Sequence, residues 1–372
     1  MKTTKISAIV FANVEDRLLG DLTAIRSTAS IPFGARYRLI DFALSNLVNA
    51  GISNVGIITK ENYRSLMDHL GSGVYWDLDR KTGGLHILPP FNSTNAVKYT
   101  GYVDALNGAK NYIARSKSDY IVICDANVVA NVDLAAALES HVENEADITL
   151  LWHNGKVPSN YSDTMVLGFD TDNRVNKITY CDDNEKEVDF GFGFYIINTD
   201  VLIKMIDLAY SNGLNDLKLA FFIEQVKQLR IFGFEHKGYL SVVDGVETYY
   251  DANMDLLKGE VRKDLFNKER TVYTKTRDDM PTRYGTHALV KNCSIGDGCI
   301  IDGTVKNSIL FRGVHIEKGA VVENSIVMQS GVVKAGAQVD YAILDKNVEV
   351  GENKVLKGTK DDALVIEKGK KI

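Results

Sequence analysis

Along the first half of the chain, apolar residues change period repeatedly, and each change marks an element boundary. Ser7 to Phe11 is a short β-branched run, and after a turn-rich stretch the segment Tyr37 to Asn49 spaces its apolar residues at helical intervals before stopping at Gly51. Asn54 to Ile58 predicts a second buried strand and Tyr63 to Leu70 a helix closing at Gly71. Ala105 to Ala114 reads as a helix, Tyr120 to Cys124 as a third strand, Leu134 to Glu143 as a helix and Ile148 to Trp152 as another strand. This alternation predicts a Rossmann-like α/β domain with a mostly parallel sheet, covered on both faces, that takes ligands at the carboxyl ends of its strands. From Met165 to Asn198 the period falls to two, interrupted by the charged stretch Asp182 to Glu187, so antiparallel strands should make the sheet mixed. Helices over Val201 to Tyr210, Leu217 to Leu229 and Thr248 to Leu257, with short strands at Ile231 to Glu235 and Leu240 to Val243, complete the domain.

The last hundred residues follow a different rule. VKNSILFRGVHIEKGAV from Val305 recurs as VENSIVMQSGVVKAGAQ from Val322 and as VDYAILDKNVEVGENKV from Val339, a period of 17 residues. A shorter copy starts at Val290. Within a copy, aliphatic residues return at about every sixth position, as in Leu310, Ile316 and Val322, with glycine at corners such as Gly313 and Gly319. Six residues per side describe a triangular parallel β-helix, left-handed in its hexapeptide form, with aliphatic side chains stacked inward. The expected organisation is an α/β domain over residues 1–265, a charged, aperiodic connection over 266–284 and a β-helix over 285–372.

Composition narrows the function. The chain has 372 residues with 43 Lys+Arg against 49 Asp+Glu, a net charge of -6 that offers no field for a polyanion and argues against nucleic acid as a partner. No run approaches a membrane span and the amino terminus does not read as a secretory signal, so the expectation is a cytoplasmic protein without a membrane partner. The four cysteines and seven histidines lie at no metal-ligating spacing, and His69 and His141 read as helix-surface residues. The aromatics Tyr75, Trp76, Phe91 and Tyr99 could form a binding surface or pack under a long loop.

The segment PFGARYRLIDFALSNLVNAGISNVGIIT, from Pro32 to Thr59, resembles the glucose-1-phosphate adenylyltransferases, and the resemblance continues through Tyr99–Asn107, Tyr120–Leu134, Phe192–Leu202 and YYDANMDLL at Tyr249–Leu257 into the repeats. It implies nucleotidyl transfer from ATP to glucose 1-phosphate. That chemistry requires a glycine-rich loop for the triphosphate, cations against the phosphates and carboxylates for Mg²⁺.

Position by position, those means are absent. The family loop A-G-G-x-G-[ST]-R-L falls on Ala12 to Leu19, so its glycines become Asn13, Val14 and Asp16, and its arginine becomes Leu18. Val14 tolerates positive φ poorly, while Glu15 and Asp16 add negative charge where phosphates would lie; Arg17 is one position out of register. The lysine of A-K-P-A-V falls on Thr28. The metal aspartate of A-G-D-H falls on Asn127 and that of W-R-D-V-G-T on Val242, with Asp125 and Asp244 two residues away in each case. Along an extended segment a shift of two would displace a carboxylate by about 6 to 7 Å. The sugar-phosphate motif E-K-P finds only Lys186. Gly34, Arg36, Arg38, Asp41, Asn46, Gly51, Gly101 and Asp104 match the pattern, with Arg38 and Asp41 expected to pair as an ion bridge at a helix start.

The resemblance therefore implies a catalytically impaired subunit similar to the GlgD-type glycogen biosynthesis proteins. No catalytic residue, metal ligand or cofactor is expected in this chain, Mg²⁺ belonging to a catalytic paralogue with which it would form a heterotetramer; self-association stays open. Two alternatives stand: an active enzyme rebuilt on Arg17, Asp125 and Asp244, and a sensor of sugar phosphate or nucleotide, for which Gly101 and Asp104 are further candidate contacts.

Overall fold

The computed structural model describes residues 5–13, 18–89, 101–157, 164–181, 186–214, 219–223 and 225–372. The first strand, Ile6–Phe11, lies inside a nine-stranded sheet, and its apolar residues serve both faces. Ala8 and Val10 join one buried cluster, Ile9 and Phe11 the other. A strand buried on both faces reads as a continuous apolar run, which is why its sequence shows no alternation. It pairs in parallel with Asn54–Ile58 and with Tyr120–Asp125, and Asn54–Ile58 pairs in parallel with Gly84–Leu88.

Beyond Tyr120–Asp125 the pairing reverses. The twelve-residue strand Glu187–Asn198 runs antiparallel both to it and to Ile148–Lys156, and the hairpin Met165–Phe169 with Val175–Tyr180 extends the same half. The sheet is mixed: a parallel half of the Rossmann order, and a mostly antiparallel half to which Ile231–Glu235 adds in parallel beside Ile148–Lys156. A separate two-stranded ribbon joins Val128–Ala130 to Leu240–Val242. Two local expectations need correction. The helix read over Leu217 to Leu229 is, among the described residues, a single π-helical turn at Leu219–Ile223 followed by turns, and an additional helix, Gly259–Leu265, closes the domain.

No helix or strand occurs between Leu265 and Arg283. The repeats then build three sheets of five short parallel strands, each coil adding one strand to each sheet, to form a parallel β-helix. Ile309, Ile326 and Ile343 stack in register, as the 17-residue period requires. Leu310, Ile316, Val322, Val327 and Leu344 fill the coil interior.

Alternation along the sheet containing Ile309–Leu310 and Ile326–Val327 sends the partner residues outward, yet these are buried too. Ile309, Phe311, Ile326, Met328 and Ile343 form one cluster with Leu22, Phe33, Phe42, Tyr249 and Leu256 of the α/β domain. Two polar contacts fix the alignment. The Tyr250 hydroxyl donates to the Asn324 carbonyl at 2.6 Å. Arg26 donates a fork to Asp345, with Nη1 and Nη2 2.9 Å from Oδ1 and Nη2 2.7 Å from Oδ2, at 2% and 1% side-chain exposure.

A buried pair of this kind punishes the loss of one partner more than the loss of both. Arg26→Met should lower unfolding free energy by about 3–5 kcal/mol because it leaves a buried carboxylate. Arg26→Met combined with Asp345→Leu should recover most of it, as read by urea denaturation; a double variant as unstable as the single one would contradict this account.

Candidate functional site

The strand ends where a nucleotide would sit are held by short polar contacts. Phe11 is in register with Asp125, and the Ala126 amide donates to the Phe11 carbonyl at 3.0 Å. Asn13 lies two residues beyond Phe11. Its Oδ1 accepts from the Lys60 amide at 2.9 Å and its Nδ2 donates to the Glu61 carbonyl at 3.4 Å, so the side chain ties the loop after the first strand to the loop after the second. Val14, Asp16 and Arg17 lie outside the described residues. Leu18, on the far side of the loop, is 48% exposed. Thr28, at the position of the family lysine, is fully buried in the short 3₁₀ turn Thr28–Ser30.

The ribbon brings the two positions matched to metal carboxylates side by side. Asn127 precedes Val128, which pairs with Val242. The segment between Asp125 and Asn127 is a turn, so the separation anticipated for an extended chain does not apply. Asn127 is almost fully buried, its Nδ2 donates to the Val243 carbonyl at 3.1 Å, and its Oδ1 has no hydrogen-bond partner among the described residues. Val242 is buried core. Asp125 is also buried, 3.5 Å from the Tyr102 hydroxyl, and sits over Gly193, where φ is +84° and a Cβ would collide with Asp125 Oδ2. Glycine is thus needed there for two reasons.

Asp244 serves the helix Val246–Asp255. Its Oδ1 accepts from Thr248 Oγ1 at 2.9 Å, and that oxygen accepts from the Asp244 and Gly245 amides at 3.1 and 2.9 Å. The donor set does not fit Mg²⁺ bound at the matched positions: one is an amide whose nitrogen is committed to a carbonyl, and the other is valine. Among the described residues no group of three or more His, Cys, Asp or Glu could hold a metal ion. Beside Val242 a cavity of about 250 Å³ is bordered by His153, Lys156, Tyr239, Asp251 and Asp255. Burial and the neighbouring Asp255 and Glu247 push the Asp251 carboxyl above its usual range.

Other sequence candidates lie at helix starts and in packed regions. Gly101 starts the helix Tyr102–Ser116 with extended backbone at φ -172°, and Asp104 is half-buried in its first turn. Arg38 and Asp41 do not form the anticipated ion bridge. Asp41 Oδ2 accepts from the Arg38 amide at 3.0 Å and Oδ1 bonds His69 Nε2 at 2.6 Å, while Arg38 Nη1 donates to the Ser65 carbonyl and hydroxyl at 2.7 and 2.9 Å. His69 and His141 are buried rather than on helix surfaces, and His141 contacts Thr149 and Asn198. Trp76 is buried and Tyr75 half-buried in core packing, whereas Phe91 and Tyr99 lie outside the described residues.

A second cavity, of about 190 Å³, opens between the α/β domain, the connection and the β-helix. Arg36, Arg38, Lys275, Arg277, Arg312 and Lys346 line it, and no carboxylate does. Burial holds the Arg38 guanidinium down to about 10 and also lowers Arg312. Arg312 is 8% exposed, and its Nε and Nη2 and the Gln329 Oε1 are buried without hydrogen-bond partners among the described residues. The nearest relief for Arg312 is Asp279 Oδ2, 3.7 Å from Nε. Buried donors with nothing to donate to, in a cleft of one sign of charge, constitute an anion-binding arrangement.

The nucleotidyl transferase family matches residues 15–258, and the GlmU-like C-terminal hexapeptide family matches residues 279–363. The chain belongs to the nucleotidyl transferase family. Within it, the chain is 35% identical to "Glycogen biosynthesis protein GlgD" of Bacillus subtilis (strain 168), over 94% of this chain and 92% of the relative. It is 30% identical to "Glucose-1-phosphate adenylyltransferase" of Bacillus thuringiensis (strain Al Hakam) and of Bacillus anthracis, over 98% of this chain and 99% of each relative. It is thus a member of the glucose-1-phosphate adenylyltransferase branch with GlgD among its relatives.

The cationic cleft escaped the sequence reading although a signal for half of it was present. Arg312, Gln329 and Lys346 occupy the same place in successive 17-residue copies, so the solenoid stacks them in one column. That the column faces Arg36 and Arg38 depends on the docking of two domains, which periodicity does not specify.

Two outcomes follow from these contacts. Asn127→Asp replaces a donor with an acceptor facing the Val243 carbonyl, so it should destabilise by about 1–3 kcal/mol in thermal or urea unfolding and yield no pyrophosphate release with ATP, glucose 1-phosphate and Mg²⁺. Substantial turnover in that variant would show that a single carboxylate completes the site. Burial also lowers the pKa of His69, His141 and His236 below the usual 6.5. These imidazoles are neutral in the fold but take a proton when unfolded below about 6.5, so stability present above that pH is lost on acidification. The urea midpoint should fall between pH of about 6.5 and about 5.5, and His141→Gln should reduce the slope.

Proposed function

We propose that this chain is a catalytically impaired, regulatory subunit of a cytoplasmic glucose-1-phosphate adenylyltransferase that serves glycogen biosynthesis. It would act in a hetero-oligomer, a heterotetramer, with a catalytic paralogue that supplies the Mg²⁺ site. The observation that carries this reading is the pair Asn127 and Val242: two uncharged side chains stand together where the family pattern places metal carboxylates. Nucleotidyl transfer depends on balancing charge on a polyphosphate, and a site without those carboxylates lacks the largest part of that balance. The names of the relatives, one in glycogen biosynthesis and the others adenylyltransferases, support the process.

A regulatory subunit must favour one state of its neighbour, because only differential contact shifts an equilibrium. The cleft at the domain junction supplies a place where a small anion could bias such contacts, since its lining comes from the α/β domain, the connection and the β-helix together. In this reading the retained fold presents surfaces to the paralogue, and the junction cleft makes those surfaces responsive to metabolite anions.

The test uses the purified full chain alone and co-expressed with the catalytic paralogue. Alone, it should form no ADP-glucose from ATP, glucose 1-phosphate and Mg²⁺. Together, the two chains should co-elute on size exclusion, and the complex should differ from the paralogue alone in kcat or in its effector response. Turnover by this chain alone at a rate typical of the family would favour the rebuilt site with Asp125 and Asp244, and failure to co-elute would remove the regulatory reading.

A further inference from the structure

The sheet that holds Ile309–Leu310 is covered by the α/β domain, whereas the other two sheets of the β-helix turn exposed or half-buried side chains outward. One of these two is complementary to itself. Its strands are Arg283–Tyr284, Ile300–Ile301, His315–Ile316, Val332–Val333 and Glu349–Val350, paired in parallel with their first residues in register. Ile301, Ile316, Val333 and Val350 point into the coil and are fully buried. Alternation therefore sends Arg283, Ile300, His315, Val332 and Glu349 outward as one column. Ile300 and Val332 are only half-buried and belong to none of the apolar clusters. The ladder runs one residue further, since the amides of Asp302, Glu317 and Lys334 donate to the carbonyls of Ile316, Val333 and Val350 at 2.8, 2.9 and 3.0 Å. Asp302, Glu317 and Lys334 thus form a second outward column beside the first.

A two-fold axis laid along the middle strand, His315–Ile316, reverses the order of the coils and sets each column against its own copy. Ile300 then meets Val332 of the second copy, and His315 meets its own equivalent on the axis. Arg283 meets Glu349, and Asp302 meets Lys334. Apolar residues occupy the centre and opposite charges the rim, as in other specific contacts. Glu317, also on the axis, is turned back onto the Ala335 amide at 3.0 Å and is held to its own chain. Within one copy Lys334 and Lys371 lie 2.5 and 3.3 Å from Glu349, and Asp302 lies 3.2 Å from His287 Nδ1, so docking would join existing pairs into networks. The remaining free sheet lacks this property, because the same operation sets Lys291 against Lys357.

From this register we propose that the sheet is an isologous interface between two copies of the chain, packed face to face with their β-helix axes antiparallel. The proposal goes beyond the regulatory reading and does not depend on it. Burial of Ile300 and Val332 supplies the attraction, and the charges choose the register. A slip of one coil sets Asp302 against Glu317 in one direction and Ile300 against the Glu349 carboxylate in the other, and both are unfavourable. Five strands about 4.8 Å apart make a face about 20 Å long, so the contact buries on the order of 1,000 Å² in total and belongs to the small, reversible class.

The test is sedimentation velocity of the full chain alone, from about 1 to about 300 μM. The parent should pass reversibly from monomer to dimer within that range. Asp302→Lys and Lys334→Asp, each alone, set like charges together twice and should weaken the dimer by at least about tenfold. Mixed in equal amounts, with one of them fluorescently labelled, the two variants should regain it, because each new charge then faces the opposite sign on the other variant. Val332→Asp should also weaken the dimer by at least about tenfold, while urea unfolding shows all three variants folded. A monomer at every concentration, or a dimer that none of these substitutions weakens, would overturn the proposal. Two weakened variants that do not recover on mixing would refute the antiparallel register and the proposal with it. Protection of Ile300 and Val332 from hydrogen exchange only when the catalytic paralogue is co-expressed would give the face to that partner and exclude the second copy.

Discussion

The docking of the β-helix onto the α/β domain is the constraint on which the rest of this molecule depends. It is made by an outward row of Ile309, Ile326 and Ile343 with Phe311 and Met328, set against Phe33, Phe42, Tyr249 and Leu256. Apolar burial supplies attraction without direction, so something must choose one alignment of two large faces. The Arg26 fork on Asp345 and the Tyr250 hydroxyl on Asn324 make that choice, because a shift of either domain would strand a buried charge or an unpaired hydroxyl. A β-helix attached through a helix-free connection is thereby part of a single body, and the cationic cleft exists only because the two parts meet in this one way.

The same economy explains how the nucleotide end of the domain can change while the fold persists. Four of the described candidates there have structural contacts: Asn13 joins two loops, Asn127 ties the ribbon, Asp244 starts a helix and Asp125 closes over Gly193. A carboxylate that binds a metal must be free of such bonds and close to others like it. Where the side chains instead satisfy local backbone groups, the polar atoms are mostly paired without a ligand, and the architecture does not need one for its stability. At the junction, by contrast, Arg312 Nε and Nη2 are buried without hydrogen-bond partners among the described residues.

Three strands of the parallel half, the Leu39–Asn49 helix and the coil repeat were legible because each rests on a local period: continuous apolar runs, helical spacing with a glycine stop, and a 17-residue recurrence; the fourth parallel strand, Gly84–Leu88, went unread. The sequence also showed which residues stand at the family's metal positions. Illegible were contacts that join distant segments. The expected Arg38–Asp41 bridge became two separate bonds because His69 reaches Asp41 from another helix and Ser65 captures the guanidinium. Ile326, which a repeat pattern assigns to the coil, is buried by the neighbouring domain instead. Of the helix expected over Leu217 to Leu229, the described residues form one π-helical turn at Leu219–Ile223, where Phe221 and Phe222 join a buried cluster, followed by turns.

By itself the sequence determined the elements and their order, the coil period, the lost charges at Asn127 and Val242 and the column of Arg312, Gln329 and Lys346, since each is a matter of residue type and spacing along one chain. Only the tertiary structure decided what those residues face: that Asn127 spends its amide on Val243, that Arg26 finds Asp345 across the length of the chain, and that Lys346 stands among arginines from another domain. Electrostatic character depends on the distance between charges in space, and spacing along a chain does not fix that distance until packing has closed it.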